Sequence, residues 1–448
     1  METQKVPLGL GKDDIGKLLM QYAIPAIIAT TASSLYNITD SIFIGHGVGP
    51  LALSGLAISF PLMNLTAAFG SMVGVGASTL LSIRMGQKDY DTANNILGNV
   101  LVMNLIMGVI VTAVMLPFLK PILIFFSAGA ETLHYAEEFM TIILCGNVVT
   151  HMYFGLNALI RSSGNPRKSM MATIMTVCIN LVLNPLFIFG FHWGIKGSAI
   201  ATVISQVIVL CWQIHLFNNK DFFIHWKRGI YRLKKNIVSD SLSIGLAPFL
   251  MNAASCLIVI LINKQLIRHG GDLAVGAYGI VNRVSFLFVM IVIGLNQGMQ
   301  PIAGYNYGAK LYPRVLEVLK KAVFFATIVM VTGFAVVELF PHAVASVFTK
   351  EESLINLAVE GLRWVFYIYP LVGFQMVSSA FFQSIGKAQK SIILSMSRQV
   401  LLLIPFLLIF PNIWKIDGVW ASITVSDALS VLIAGFLLWR ELRKWNKK

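Results

Sequence analysis

Twelve apolar stretches of membrane-spanning length restrict this chain more than any other feature of its sequence. Windows of about 19 residues place them at 18–45, 51–83, 93–117, 138–160, 169–190, 197–217, 242–266, 273–300, 320–340, 360–384, 391–410 and 418–439. The chain is 56% hydrophobic and only 12% charged, which no soluble globular composition resembles. Because the stretches are too long and too uniformly apolar for barrel strands, they predict an all-α integral membrane protein.

The basic residues predict how these spans are oriented. When twelve spans are threaded through a bilayer, 25 of the 34 lysines and arginines fall on the side of the two termini. We therefore expect both termini in the cytoplasm of a bacterial inner-membrane protein, and the net charge of +14 reflects topology, not nucleic-acid binding. The stretch 218–241 is expected to be a basic cytoplasmic linker on anionic membrane lipids, with a partner-binding loop as the alternative. Nothing in the sequence calls for an oligomer, and we expect a monomer.

The linker divides the spans into two similar halves, 1–217 and 242–448. RMGQKDY follows the second span and YNYGAKLY follows the eighth, which places Gly86 and Gly308 222 positions apart. SSGNPRKS and QSIGKAQKS, after spans four and ten, place Gly164 and Gly386 at the same offset. With six spans in each half, both halves start on the same side, so the pattern predicts parallel repeats about an axis along the membrane normal. A substrate path between the two bundles follows from this arrangement.

The first span, read as LLMQYAIPAIIATTASSLYNITDSIFIG, contains a carboxylate, Asp40. An ionisable group in a spanning helix costs about 2.5–3.5 kcal/mol, and such groups usually handle ions or substrates. The alternative is a structural acid that only holds two helices together. Pro25 of the same span frees a backbone carbonyl, and it is either a hinge or a static kink.

Several motifs resemble the multidrug and toxic compound extrusion (MATE) family, nearest its DinF-like branch. They are the D-x-x-x-x-G pattern from Asp40 to Gly45, the GQKDYDTA after the second span, the NPLFIFG of span five and the GSAIAT of span six. The resemblance covers essentially the whole chain. It implies a V-shaped fold of two pseudo-symmetric six-helix lobes. It also implies secondary antiport, in which cationic or amphipathic small molecules leave in exchange for H⁺ or Na⁺, with no other cofactor and no metal site.

The resemblance also assigns roles to particular residues. Asp40 matches the coupling acid of the first helix, and Asn180 and Thr202 match residues that gather around it. Asn184 belongs to the same ion-coupling set, at a position where the family pattern often has an aspartate. Pro25 matches the position at which the first helix of some members bends on protonation.

The methionine and aromatic content suits an adaptable apolar cavity, although most such side chains in any membrane protein face lipid or other helices. The candidate substrate-binding residues are Tyr36, Phe60, Met63, Phe154, Asn157 and Met175.

Arg283, Arg398 and Asp427 are charged residues within or near the second-half spans. A buried pair between Asp427 and one of the arginines would make each residue tolerable in the membrane. We interpret the three as a structural or gating network, with a second coupling site as the alternative.

The two rival functions are a flippase of the same superfamily and a membrane-embedded enzyme. A flippase for lipid-linked oligosaccharides, in the same superfamily, needs cations in both halves of its cavity, and the first-half span interiors hold none. A membrane-embedded enzyme needs a convergent catalytic or metal set, but the eight histidines show no H-x-x-x-H or H-E-x-x-H spacing. The chain also has no G-x-x-x-x-G-K-[ST], so direct nucleotide drive is unsupported.

Overall fold

The computed structural model describes residues 8–126, 128–219 and 222–445, and nearly all of them are helical. After a short 3₁₀ turn, Leu8–Gly11, the first half consists of α1 (Ile15–Gly47), α2 (Pro50–Gly86), α3 (Tyr90–Met115), α4 (Leu119–Phe125), α5 (Ala130–Cys145), α6 (Asn147–Ser162), α7 (Pro166–Pro185) and α8 (Gly194–Leu216). The second half consists of α9 (Lys235–Gly308), α10 (Tyr312–Leu339), α11 (Pro341–Ser346), α12 (Glu352–Tyr367), α13 (Tyr369–Ser384), α14 (Ala388–Met396) and α15 (Ile404–Trp445). Two π-helical segments, Leu186–Gly190 and Ser397–Leu403, follow α7 and α14.

The described helices supply twelve membrane spans. Six spans are unbroken helices, and the pairs α5–α6 and α12–α13 each form one span that bends, by 56° and 54° respectively. Helix α9 has 74 residues, about 110 Å at 1.5 Å per residue, and so is too long for one span of a bilayer core about 30 Å thick. It is broken at Gly271, whose φ of 68° suits glycine, and it supplies two spans. The segment from α14 to α15 breaks at Lys415 and supplies the last two.

Three segments differ from the boundaries expected from hydropathy. The fourth and tenth spans were expected as single stretches, 138–160 and 360–384, but each is a bent pair that starts earlier, at Ala130 and Glu352. The first arm of each pair carries acidic residues, Glu131, Glu137 and Glu138 in α5 and Glu352 and Glu360 in α12, which lower the mean hydropathy and delay the expected start of the span. Helix α9 begins at Lys235, so the last seven residues of the expected linker, 235–241, are helical.

Glycines allow the two halves to approach closely where α1 and α2 cross α9. A Cβ atom at Gly76 would lie 1.8 Å from the carbonyl oxygen of Ser241, and one at Gly298 would lie 2.5 Å from the nitrogen of Ala23. Gly298 follows Gly76 by 222 positions, and Gly245, which also faces Gly76, follows Ala23 by 222. Contacts between equivalent positions are what two parallel repeats produce at their pseudo-twofold axis. We call this contact the seam.

Polar side chains reinforce the seam. Gln300 Nε2 donates to Ser78 Oγ at 3.0 Å and to Thr79 Oγ1 at 2.5 Å. Arg161 donates to Gln297 Oε1 at 3.1 Å. These bonds join the first half to α9 near the end of the bundle where α1 begins and α2 ends, which we call the basic end.

Contacts between the halves continue along α1 and α2 away from the basic end. Thr30 Oγ1 donates to the carbonyl of Met290 at 3.4 Å, and the rings of Phe69 and Phe249 lie 4.6 Å apart. Nearer the opposite end, the α1 side chain of Leu35 is 59% exposed. The closest backbone contacts between the halves therefore lie toward the basic end, and looser side-chain contacts extend as far as Pro61 of α2 and Cys256 of α9.

Candidate functional site

Asp40 lies in the last two turns of α1, and its carboxylate points toward α7 and α8. The residue is 7% exposed. Asn184 Nδ2 of α7 donates a hydrogen bond to Asp40 Oδ1, and Ser198 Oγ of α8 donates to the same oxygen at 2.5 Å. Both donors are uncharged, so the carboxylate is held by dipoles from two neighbouring helices.

A second layer of polar side chains lies one helical turn from Asp40. Tyr36 Oη and Thr202 Oγ1 are 2.8 Å apart, and Asn180 Nδ2 donates to Thr202 Oγ1 at 3.1 Å and to Tyr36 Oη at 3.4 Å. Asn180 and Thr202 therefore bond to each other and to Tyr36. The direct partners of Asp40 are Asn184 and Ser198 instead. The resemblance had grouped Asn180 and Thr202 around the acid itself.

The local structure of α7 and α8 explains why these side chains converge. Pro185 follows Asn184, has no backbone N–H to donate, and is followed by the π-helix Leu186–Gly190. Single π-helical turns occur frequently at functional sites. A Cβ atom at Gly197 would lie 3.0 Å from the carbonyl carbon of Phe187, so glycine at this position lets α8 approach the π-helix closely. The close approach brings Ser198 to Asp40.

The surroundings of Asp40 are polar but carry no neutralising cation. Among the described residues it forms no ion pair, and Lys196, near Ser198, pairs with Glu138 at 2.8 Å. The Oδ1 atoms of Asn180 and Asn184 are buried without a hydrogen-bond partner in the described part of the chain. That part also contains no group of three His, Cys, Asp or Glu residues that could bind a metal ion. One carboxylate with nearby amide and hydroxyl oxygens can accept a proton or a small cation.

Ser198 is the site residue that the sequence analysis missed. It stands in the GSAIAT motif, in which the resemblance assigns a role only to Thr202. Each of the three helices carries two polar residues four positions apart, which places them on one face. These pairs are Tyr36 and Asp40, Asn180 and Asn184, and Ser198 and Thr202. This shared spacing was the available signal.

The other candidate substrate residues form no hydrogen bond with Asp40 among the described residues, and they lie in different packing clusters. Met63 packs beside the hydrophobic cluster of Ile44 and its neighbours, whereas Met175 packs beside the separate cluster that contains Tyr153. Asn157 Nδ2 donates to Thr173 Oγ1 at 3.1 Å. Of the six candidates, Tyr36 is the one with a hydrogen bond in the polar layers. The remaining two aromatic candidates, Phe60 and Phe154, are 40% and 37% exposed.

Pro25 lies within α1, which continues as one helix from Ile15 to Gly47. A groove of about 490 Å³ runs beside it. The lining residues are Lys17, Met20, Gln21, Ile24, Pro25, Ile28, Arg167 and Met170.

In the second half, Arg398, whose side chain is 29% exposed, forms an ion pair with the buried Asp427. Arg398 Nε donates to Asp427 Oδ1 at 2.7 Å, and the Asp427 residue is 5% exposed. Arg398 lies in the π-helix Ser397–Leu403. Arg283 is exposed and forms no ion pair with any described residue, so it lies outside this pair.

Comparisons with known proteins identify the family. The family model described as MatE matches residues 25–186 and 244–409. The multidrug export protein MepA of Staphylococcus haemolyticus (strain JCSC1435) is 25% identical over 428 residues, which are 96% of this chain and 94% of the relative. MepA of Staphylococcus aureus (strain NCTC 8325 / PS 47) is 26% identical over the same shares.

Solved structures of MATE transporters match this chain over its full length. A structure described as the outward-facing conformation of a multidrug resistance MATE family transporter of the MOP superfamily has a TM-score of 0.92 at 25% identity, with 100% of both chains covered. A crystal structure of MATE in the bent conformation has a TM-score of 0.93 at 25% identity, covering 100% of this chain and 99% of the other. The expected all-α, multi-pass membrane fold is thereby confirmed. Since the family model covers well over half of its length, this chain belongs to the MatE family of membrane transporters, and it is a transporter and not an enzyme.

Proposed function

We propose that this protein exports cationic or amphipathic small molecules in exchange for H⁺ or Na⁺, with Asp40 as the coupling acid. The relatives named above are multidrug export proteins, which supports the substrate class. The observation that carries the residue assignment is the environment of Asp40. It is a buried carboxylate in a membrane span, held by the neutral donors Asn184 and Ser198. An acid of this kind can change its charge during a transport cycle, because no fixed cation pairs with it.

The oxygen atoms near the acid are compatible with either H⁺ or Na⁺ as the coupling ion. A proton needs only the carboxylate, whereas Na⁺ needs several oxygen ligands. The unpartnered Oδ1 atoms of Asn180 and Asn184 offer two further acceptors beside Asp40. The set Asp40, Asn180, Asn184 and Thr202 is therefore proposed for ion coupling, with Ser198 added from its contact with the acid.

We favour drug export over the flippase alternative. A flippase for an anionic lipid-linked sugar needs cations where its cargo binds, and the polar layers around Asp40 contain no basic side chain among the described residues.

We also propose that the basic end faces the cytoplasm, that the protein lies in a bacterial inner membrane as a monomer, and that it falls in the DinF-like branch. The lobes are proposed to be 1–217 and 242–448, joined by the linker 218–241. Substrate contacts are proposed for Tyr36, Phe60, Met63, Phe154, Asn157 and Met175.

Transport by purified protein in proteoliposomes tests the function. Separately imposed pH and sodium gradients identify the coupling ion. We expect Asp40→Asn to abolish gradient-driven substrate exchange while the protein still folds, because the amide keeps the size and some hydrogen bonding of the acid but cannot cycle a proton. Glu131→Gln, the same chemical change at an exposed position, is the matched control.

Full exchange by Asp40→Asn would remove this residue from the mechanism. Loss of exchange in Glu131→Gln as well would point to a general effect of lost charge. Orientation is tested separately, by labelling single cysteines in 222–234 and near Trp193 with an impermeant reagent. Labelling of the linker from outside the cell would overturn the proposed topology.

A further inference from the structure

A polar cavity of about 330 Å³ lies at the basic end, where α2 ends and α9 begins. It is separate from the polar layers around Asp40. The cavity lining consists of Leu80, Arg84, Thr92, Lys234, Lys235, Asn236, Ile237 and Asp240. Arg84 and Thr92 come from the first half and the other polar residues from the linker and the start of α9, so the cavity spans the seam.

The charges that line the cavity are mostly positive. Arg84, Lys234 and Lys235 face one carboxylate, Asp240, which lies 3.8 Å from a terminal nitrogen of Arg84. Asp89 lies 3.7 Å from the other terminal nitrogen of Arg84. The Nε atom of Arg84 is buried without a hydrogen-bond partner, and neither lysine forms an ion pair within the described residues. The lining therefore keeps an excess of positive charge and an unused donor.

Backbone donors from the start of α9 add to this positive potential. Lys234 is the N-cap of α9 and provides no side-chain cap, and the first bond back to it comes from the N–H of Val238 at 3.0 Å. The N–H groups of 235–237 have no partner among the described residues, and these positions line the cavity. Exposed N–H groups and the helix dipole favour anions at a helix N-terminus. The hydroxyl of Thr92 offers one more donor on the opposite wall.

The linker that carries the two lysines is fixed in place. Asn99 Oδ1 of α3 accepts from the backbone N–H of Lys234 at 2.8 Å, and Asn99 Nδ2 donates to the carbonyls of Ile230 and Arg232 at 3.2 and 3.0 Å. A Cβ atom at Gly98 would lie 2.3 Å from the carbonyl oxygen of Ile230, so the linker backbone packs directly on α3. The cations are therefore presented by a backbone that is already ordered, which lowers the entropic cost of binding.

We propose that this cavity binds a phosphate group, carried either by an anionic phospholipid of the adjacent leaflet or by a soluble phosphate. The guanidinium of Arg84, the ammonium groups of Lys234 and Lys235, and the free N–H groups of α9 match the charge and acceptor oxygens of such a group. Arg84 and Thr92 belong to the first half and the free N–H groups of 235–237 belong to α9, so the site is complete only while α2 and α9 stay together at the basic end. A bound phosphate therefore stabilises that state relative to one in which the basic end is open.

The test measures binding to purified full-length protein in two arms. In the first, inorganic phosphate is titrated against protein in nanodiscs of zwitterionic lipid, with chloride at matched ionic strength as reference. In the second, the nanodiscs contain increasing fractions of phosphatidylglycerol. The readouts are thermal stability and hydrogen–deuterium exchange of 235–245, which should slow when the site is filled. Binding in both arms identifies a site open to soluble phosphate, and binding in the second arm alone identifies the lipid headgroup.

Two double variants separate a specific site from general attraction. Lys234→Gln with Lys235→Gln removes two exposed side chains that line the cavity, and we expect apparent affinity to fall about 30-fold, from about 1 kcal/mol per basic residue. Lys227→Gln with Arg228→Gln removes the same charge from exposed positions of the same linker, and it should leave affinity within about twofold. Thr92→Val should weaken binding without any change of charge.

Equal losses in the two double variants would mean that the linker attracts anions nonspecifically, and the proposal would fail. Absence of stabilisation and of slowed exchange in both arms would refute it as well. Neither result bears on Asp40, which lies near the far end of α1.

Discussion

Replacing Gly76 by alanine should open the basic end of this transporter. Gly76 lies on α2 against the backbone of α9, and its added Cβ atom would lie 1.8 Å from the carbonyl oxygen of Ser241. Real Cβ atoms essentially never approach a heavy atom closer than 3.0 Å, so the helices must separate by at least 1.2 Å, the difference between the two distances. The contact is with backbone, so rotating a side chain cannot relieve it.

The energetic cost falls on the closed state alone. Overpacking of a tight contact typically costs about 1–3 kcal/mol, which lowers the population of the closed state about 5-fold to 150-fold relative to a state with the halves apart. Gly279→Ala is the matched control, because a Cβ atom at Gly279 meets nothing within 4 Å. Both substitutions raise helix propensity equally, so any difference between the two variants in the separation of the halves is due to the steric contact at the seam.

Spin labels at Asp91 and Lys320 measure the effect, in a background from which the four native cysteines have been removed. Both positions are exposed, and they lie on α3 and α10 in opposite halves. We expect double electron–electron resonance to show a longer distance component in Gly76→Ala and the parent distribution in Gly279→Ala. An unchanged distribution in a folded Gly76→Ala protein would refute the idea that backbone contact at this glycine limits separation of the halves.

Three further predictions address the charged residues and the hinge. A cationic substrate should bind more tightly as the pH is raised, because deprotonation of Asp40 adds an attraction, and this dependence should be absent in Asp40→Asn when affinity is measured on purified protein. Pro25→Ala should slow transport more than it weakens binding, since it restores a backbone N–H and stiffens α1, and parallel rate and affinity measurements would detect the difference. Arg398→Gln should lower the free energy of unfolding by about 1–3 kcal/mol, because it leaves the buried Asp427 without its partly exposed cation, and adding Asp427→Asn should recover part of the loss.

The overall architecture could be predicted from the sequence, because each span needs about 20 consecutive apolar residues and such runs can be identified from residue polarity alone. The offset of 222 was visible in Gly86 and Gly308 for a similar reason. A Cβ atom at Gly86 would lie 2.0 Å from the Tyr305 carbonyl oxygen, and one at Gly308 would lie 2.1 Å from that of Ile83. These two contacts are related by the same offset, and each requires glycine. The packing of the two halves is therefore visible in the sequence as glycines 222 positions apart.

The partners of Asp40 were harder to predict, because they depend on how each helix is rotated about its axis and shifted along it. A shift of one turn exchanges Asn184 for Asn180 and Ser198 for Thr202, and hydropathy does not change with such a shift. The same limit applies to Arg283 and Arg398, since either could have reached Asp427 from the sequence alone. Candidate contacts such as Phe60 and Met175 were chosen by residue type, which carries no information about the face on which a side chain lies.

Helix α1 connects the acid to the seam, and this connection is the physical basis for coupling in the proposed mechanism. Near its start, Ala23 and Ile27 pack against Gly298 and Gly294 of α9, with Pro25 between them, and near its end Asp40 bonds to α7 and α8. A change of charge at Asp40 alters how the far part of α1 is held, and the proline lets that part move relative to the part fixed in the seam. One pH unit supplies only about 1.4 kcal/mol per proton, so the two positions of α1 must differ by no more than a few kcal/mol for a proton to select between them. The neutral partners of Asp40 suit this requirement, because a paired arginine in their place would oppose removal of the negative charge that the transport cycle needs.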